Sequence, residues 1–217
     1  MSRRVKSIPS MVKNPRLVER RRRQIVLGAC RLFIEKGFHK TTTREIAKAC
    51  GLSIGTMYEY IQSKEDVLYL VCEYIHDELE SRLKEAVVDT DSGRESLAKA
   101  VAQHFRVMGE MSDYVLFIYQ ETKSLPQEAM RYVLSKEEEI TGIFEKILCK
   151  GIRDGTLRLD PSAAKLMAHN IMVMGQMWTF RRWALAKQYS LEEYTRYQTA
   201  WLLHDLTTED TGGRENG

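Results

Sequence analysis

Residues 41–64 read TTTREIAKACGLSIGTMYEYIQSK. The run holds three helix starts and one helix stop. Thr42 or Thr43 can cap the first helix, because a threonine hydroxyl accepts a hydrogen bond from a backbone N–H that has no partner at a helix start. Glu45, three residues after Thr42, completes a capping box. Ile46, Ala47 and Cys50 make a small apolar face, and Arg44 and Lys48 lie four apart on another. Gly51 stops this helix in the left-handed conformation that glycine adopts at little cost. Leu52 plugs the space between helices, and Ser53 caps a second one expected over residues 54–60. Ile54, Met57 and Ile61 are expected to face inward, which leaves Gly55, Thr56, Tyr58, Glu59 and Tyr60 outside. Ser63 caps a third helix, whose first residue Lys64 sits where free N–H groups favour an anion such as phosphate. Two short helices joined by a glycine turn form a helix-turn-helix, which lays its second helix in the DNA major groove.

Gly55 costs about 1 kcal/mol against alanine inside a helix. A glycine there makes sense where the helix backbone comes close to another helix or to DNA. The expected DNA contacts follow from position and chemistry. Thr41, Thr42, Tyr60 and Lys64 are candidates for phosphates, and Arg44, Thr56 and Tyr58 for base edges. Thr43, Ser53 and Gly55 complete the set.

Charge supports this placement. The chain of 217 residues carries a formal net charge of +3. Residues 1–65 hold 15 basic and 5 acidic side chains; of 33 basic and 30 acidic in all, 18 and 25 are left for the remainder. A basic N-terminal part on an acidic body is the footprint of nucleic-acid binding at one end.

Outward from the core motif, residues 1–16 are basic and lack apolar periodicity, and read as a flexible arm. A first helix over residues 17–36 buries Ile25, Ala29, Leu32 and Phe33 and ends at Gly37. The tetrad Arg20–Arg23 at its start is electrostatically unfavourable for a helix N-terminus. DNA phosphates beside it would supply the missing anions. From Lys64 a long helix is expected to residue 88, followed by the polar break Asp89-Thr90-Asp91-Ser92-Gly93. Five more helical segments are expected, over 96–109, 113–122, 126–154, 161–187 and 190–206. The apolar run Tyr114–Tyr119 is assigned to helix, since no partner strand is legible elsewhere. Asp160 and Pro161 form a strong start signal, and Ser190 with Glu193 a capping box. Fold class is all-α, with a three-helix helix-turn-helix domain over residues 17–66, a helical ligand-binding and dimerisation domain over 67–206, and a disordered tail over 207–217.

Gly37-Phe38, the Thr41-Thr42-Thr43 run, Ile46-Ala47, Ala49, Gly51, Ser53, Gly55-Thr56, Tyr58, Tyr60 and Ser63-Lys64 resemble the N-terminal domain of TetR-family transcriptional regulators. The similarity spans about Arg20 to Tyr74. Thr43, Cys50 and Ile61 replace the Val, Ala and Phe usual there, all small or apolar exchanges. The resemblance implies an all-helical homodimer that represses transcription until a small ligand binds its larger C-terminal domain. It also implies that the last two helices pair with their copies. The Met- and Trp-rich sequence there, with Met172, Met177, Trp183 and Trp201, suits such an interface.

The effector is expected to be small and hydrophobic. Phe105, Met108, Met111 and Tyr114 are candidate lining residues, with Phe117, Ile118, Met174 and Trp178, because ligand pockets are mostly apolar. Residues 177–183, Met-Trp-Thr-Phe-Arg-Arg-Trp, loosely resemble the matching stretch of family members that answer to fatty acyl-CoA. Arg181 and Arg182 would then meet the anionic end of an acyl-CoA or fatty acid.

Other classes find less support. No Ser/His/Asp or Cys/His arrangement, glycine-rich phosphate loop or metal spacing is legible, so neither an enzyme nor a cofactor is expected. Cys30, Cys50, Cys72 and Cys149 form no Cys-x-x-Cys pair and read as free thiols of a reducing cytoplasm. No signal peptide or run of about 20 apolar residues points to a membrane. The remaining alternative is a helical interaction protein that has lost DNA binding, which the basic N-terminal part opposes.

Overall fold

The computed structural model describes residues 8–85 and 91–207. Nine α-helices follow one another there: α1 (Pro15–Lys36), α2 (Thr43–Ala49), α3 (Ile54–Tyr58), α4 (Lys64–Glu85), α5 (Gly93–Glu110), α6 (Ser112–Glu121), α7 (Gln127–Arg153), α8 (Ala164–Leu185) and α9 (Leu191–Thr207). Among the described residues there is no strand, so the apolar run Tyr114–Tyr119 is helical, inside α6. The start of the expected arm, residues 86–90 with the first two positions of the expected break, and the tail from residue 208 lie outside the described residues.

Local signals account for most helix ends. Asn14 caps α1 by accepting from the Leu17 amide at 3.3 Å, with Pro15 at the first helical position. That pair starts α1 two residues before the expected Leu17, since proline has the helical φ already set. Thr42 and Glu45 form a reciprocal capping box on α2, and Gly51 follows it at φ +66°. Asp160 accepts from the Ser162 amide at 2.8 Å, ahead of a single 3-10 turn that leads into α8. Ser190 and Glu193 close the expected box on α9.

The chain divides into two compact units. The first holds α1, α2, α3, α4 up to Glu78, and Met111–Glu138. The expected boundary at residue 66 falls inside the continuous helix α4. Within this unit α1 packs on α2 and α6, and α2 on α3. Phe33 stacks on Phe117 with ring centroids 5.5 Å apart, which holds α6 against α1. Residues 8–12, expected to be part of a free arm, are instead tied down. The Met11 amide and the Ser10 hydroxyl each donate to the Glu59 carbonyl at 2.9 Å, and Ile8 is buried.

The second unit runs over Leu79–Glu110 and from Glu139 onward. Here α5 packs on α8 and α9. Leu97, Val101, Phe105, Phe144, Leu148 and Ile171 are fully buried in its core. The Tyr194 ring lies against Phe105 at 5.6 Å and Trp178 at 5.2 Å, and its hydroxyl donates to the Met174 carbonyl.

His104 is buried in this core, its Nε2 3.3 Å from the Met172 carbonyl oxygen. A carbonyl only accepts, so Nε2 carries the proton. Desolvation drives the ring's pKa down to about 4, against the backbone bond to Met172 that opposes the fall. The unfolded chain therefore binds one more proton than the fold between pH 6.5 and about 4, and stability falls as pH falls through that window. The expected loss at His104 is roughly 3 kcal/mol by pH 4, at 1.36 kcal/mol per pKa unit. Urea melts of wild type and His104→Gln over this range check it. Glutamine can keep the bond to Met172, and its melts should lack this part of the slope; parallel profiles would assign the slope elsewhere.

Candidate nucleic-acid interface

On α2 the Thr42 Oγ1 accepts from the Glu45 amide at 3.2 Å and donates to Glu45 Oε2 at 2.9 Å. The Lys36 ammonium donates to the same carboxylate at 2.6 Å. Lys36, with the amide and hydroxyl of Thr42, holds the Glu45 carboxyl down at about 2. The cap is therefore charged at every physiological pH. Thr43, at the first helical position, accepts from the Tyr58 hydroxyl at 3.3 Å, linking α2 to α3. The Arg44 side chain is exposed and makes no hydrogen bond or ion pair among the described residues.

On α3 the Ser53 Oγ accepts from the Thr56 amide at 3.0 Å and shares a second bond with the Thr56 hydroxyl at 2.9 Å. A Cβ added to Gly55 would meet only Ser53 Oγ, at 3.8 Å. No neighbouring helix among the described residues requires a glycine there. Tyr58 is 40 % exposed. Arg44, Gly55 and Tyr58 are thus exposed and Thr56 is half-buried, with the Thr42 and Ser53 caps and the Thr43 hydroxyl at the two helix starts.

Five expectations need correcting. Helix α3 ends at Tyr58, two residues early, and the next turn tightens to bonds from Glu59 to the Thr56 carbonyl and from Tyr60 to the Met57 carbonyl. Three residues per turn bring Tyr60 onto the side of Met57. Met57, Tyr60 and Ile61 are therefore buried and Ile54 is 38 % exposed, the reverse of the expected places of Ile54 and Tyr60. Thr41 is 1 % exposed and its hydroxyl donates to the Gly37 carbonyl at 2.9 Å, so it is part of the turn after α1 and not a phosphate ligand. The Lys64 ammonium does not stand free at its helix start. It donates to the carbonyls of Phe38 and Thr41 at 3.0 Å and lies 4.4 Å from the Phe38 ring centre, because carbonyls left over beyond α1 attract a cation. Arg22, from the tetrad, donates inward to the carbonyls of Tyr60 at 3.0 Å and Ile8 at 2.6 Å. Arg20 and Arg23 remain exposed.

The residues proposed to line an effector site divide between the two units. Phe105, Met108, Met174 and Trp178 belong to the second unit, Tyr114, Phe117 and Ile118 to the first. Phe105, Met108 and Trp178 are buried in packed core. Met111, also in the first unit, is buried as well. Arg181 and Arg182 are exposed, and the Arg181 guanidinium lies 5.1 Å from the centre of the Trp183 ring. A cleft of about 750 Å³ lies elsewhere, in the first unit, between residues 8–13, α1 and α4. On α8 and α9 Leu166, Val173, Trp183 and Trp201 are all at least 60 % exposed. Burial pushes the Cys30 and Cys72 thiols up to about 12, which keeps them protonated. Among the described residues no three His, Cys, Asp or Glu side chains could hold one metal ion, and no helix is long and apolar enough to cross a membrane.

The ordered segment over residues 8–12 has no periodicity that would announce it in the sequence. Only the Asn14-Pro15 helix start nearby hints at where order begins.

Residues 25–69 match the profile of the bacterial regulatory proteins of the tetR family, and residues 90–183 that of a tetracyclin repressor-like C-terminal domain. The HTH-type transcriptional regulator HbdR of Aromatoleum is 30% identical over 202 residues, covering 93% of this chain and 87% of HbdR. The fatty acid metabolism regulator protein of Bacillus subtilis is 25% identical over 66% of this chain and 75% of its own. The crystal structure of AibR in complex with isovaleryl coenzyme A and operator DNA shares the fold, with a TM-score of 0.71 at 22% identity, over 84% of this chain and 98% of AibR. These relatives are regulators, not enzymes.

Proposed function

Since the chain belongs to the TetR family of transcriptional regulators, we propose that it is a cytoplasmic repressor that binds a palindromic operator as a homodimer and is released by a small hydrophobic or acyl-CoA-type effector. The observation that carries the reading is the open side of α2 and α3, where Arg44 is exposed and nothing packs over Gly55. Arg44, Thr56 and Tyr58 reach base edges, and Thr42, Thr43 and Ser53 the flanking phosphates. Residues 17–66 act as the DNA-binding part, and the chain from residue 67 to 206 carries effector binding and pairing.

The exposed Leu166, Val173, Trp183 and Trp201 favour pairing through α8 and α9. Isolated apolar residues are common on surfaces, but two tryptophans more than 60 % exposed on successive helices are what a paired surface would cover. Paired copies would set two recognition helices about 34–36 Å apart, one turn of DNA. The fatty acid regulator and AibR support an acyl-CoA or fatty acid as effector class. Effector binding would shift the population between two dimer geometries.

Selection of duplexes from a random-sequence pool by the full chain tests the DNA reading. A two-fold symmetric site should emerge. Its affinity should fall about 10³–10⁵ between roughly 50 and 200 mM salt if roughly 6–10 phosphates are contacted. Arg44→Ala should cost about 1–3 kcal/mol and relax preference at one base pair in each half-site. Uniform loss on all sequences would move Arg44 to the phosphates. Enrichment of no sequence would favour a helical interaction protein that has lost DNA binding. Calorimetric titration with acyl-CoAs, free fatty acids and lipophilic cations tests the effector; no heat with the first two classes would overturn it.

A further inference from the structure

We infer that Arg22 is a positioning residue for DNA binding, which fastens residues 8–11 to the end of the recognition helix and so fixes the stance of α3. The inference rests on the proposed reading that α3 enters the groove. Helix α3 is five residues long. A helix that short has no stability of its own, and its orientation is set by its packing on α2 together with what holds its two ends. At its start the hold is local, through the Ser53 cap. Past its end the carbonyls of Glu59 and Tyr60 lack helical partners, as helix-terminal carbonyls do. Residues far away in sequence satisfy them. Glu59 accepts from the Met11 amide and the Ser10 hydroxyl, both at 2.9 Å. Tyr60 accepts from Arg22 Nε at 3.0 Å. The same guanidinium reaches the Ile8 carbonyl through Nη2 at 2.6 Å.

Arg22 thus joins three pieces of chain: α1 on which it sits, residues 8–11, and the turn after α3. Two carbonyls bonded by two nitrogens of one planar fork, Nε and Nη2, are a geometry that arginine meets and lysine does not. Its neighbours Arg20 and Arg23 are exposed, so within the tetrad Arg22 has a different task from contacting phosphate.

The test uses the full chain, the duplex that wild type selects from a random pool, and an unrelated duplex of equal length. Arg22→Lys keeps the charge and loses the fork. It should weaken binding to the selected duplex at least about tenfold, the loss of one or two charge-assisted hydrogen bonds. Binding to the unrelated duplex and the slope of log affinity against log salt should stay as in wild type. The double variant Ser10→Ala, Met11→Pro removes both donors onto Glu59 without touching α1 or any charge. It should weaken selected binding too, and adding Arg22→Lys to it should cost less than the two losses added, since both act on one junction. Thermal melts establish that each variant is folded. Wild-type affinity in Arg22→Lys overturns the inference. So does an equal loss on both duplexes in Arg22→Gln with the salt slope reduced by about 0.9 per lost contact, which is the signature of a phosphate ligand. If wild type selects no duplex, the DNA-binding reading fails first and this inference falls with it.

Discussion

Gly55→Leu is expected to leave the free protein at least as stable as wild type and to lower affinity for the selected duplex by about 100-fold or more. The two effects have opposite sign because they come from different surroundings. In the free protein a Cβ at position 55 meets only Ser53 Oγ, at 3.8 Å, an ordinary contact. Replacing glycine inside a helix gains up to about 1 kcal/mol of propensity. On DNA the same side chain would stand between the helix backbone and the groove edge. Affinity then falls toward that for unrelated DNA, a gap of typically about 10³–10⁷ for specific binders. Gly55→Ala should show the same trend more weakly. Thermal melts together with fluorescence anisotropy on the selected duplex read both quantities in one preparation. If Gly55→Leu binds like wild type, α3 does not approach DNA through Gly55, and the assignment of Thr56 and Tyr58 to base edges loses its basis.

Gly93→Ala is expected to destabilise the fold by about 3 kcal/mol, for a reason far from DNA. Gly93 opens α5 and its amide donates to Asp154 Oδ2 at 2.7 Å. A Cβ there would lie 2.1 Å from the Gly151 Cα and 2.2 Å from its nitrogen, both backbone atoms of α7. No side-chain rotation relieves that contact, so the two helices must separate. Overpacking of this kind costs typically about 1–3 kcal/mol and occasionally more, against at most about 1 kcal/mol of helix propensity gained. At about 2–4 °C per kcal/mol for a chain of this size, the melting temperature should drop by roughly 6–12 °C. Ser92→Ala is the control: it removes the Ser92 hydroxyl that accepts from the Glu95 amide at 3.2 Å, worth about 1 kcal/mol, without any clash. A drop in Gly93→Ala no larger than in Ser92→Ala would mean that α5 and α7 give way easily where they cross.

Much of the helix-turn-helix is legible in the amino-acid sequence. The capping box of Thr42 and Glu45, the Ser53 cap, the left-handed Gly51 and the Asp160 and Ser190 starts are interactions between residues two to four apart. Residue type and spacing suffice to place them. The charge division between residues 1–65 and the remainder points to the same end of the chain. The pattern misleads where a helical period is extended one turn too far. Tyr60 and Ile54 exchange places because the chain beyond Tyr58 tightens to three residues per turn, and nothing in residues 54–61 announces that tightening.

The long cationic side chains cannot be placed from sequence. Lys64 and Arg22 read as phosphate anchors because they lie beside a DNA-binding motif. Their partners are carbonyls 23 to 26 residues from Lys64 and 14 and 38 residues from Arg22. A side chain with four or five rotatable bonds goes where unsatisfied oxygens are, and those oxygens come together when α1, α3 and α4 pack. The same holds for Phe117, whose stacking on Phe33, 84 residues away, no local pattern announces. Helix type, helix ends, the DNA-facing motif and the basic end of the molecule are thus properties of short stretches of this chain. Which cations stay free to meet DNA, which aromatic residues are core, and which glycine is open and which is crossed by another helix depend on segments brought together from far apart, and are decided only when the helices pack.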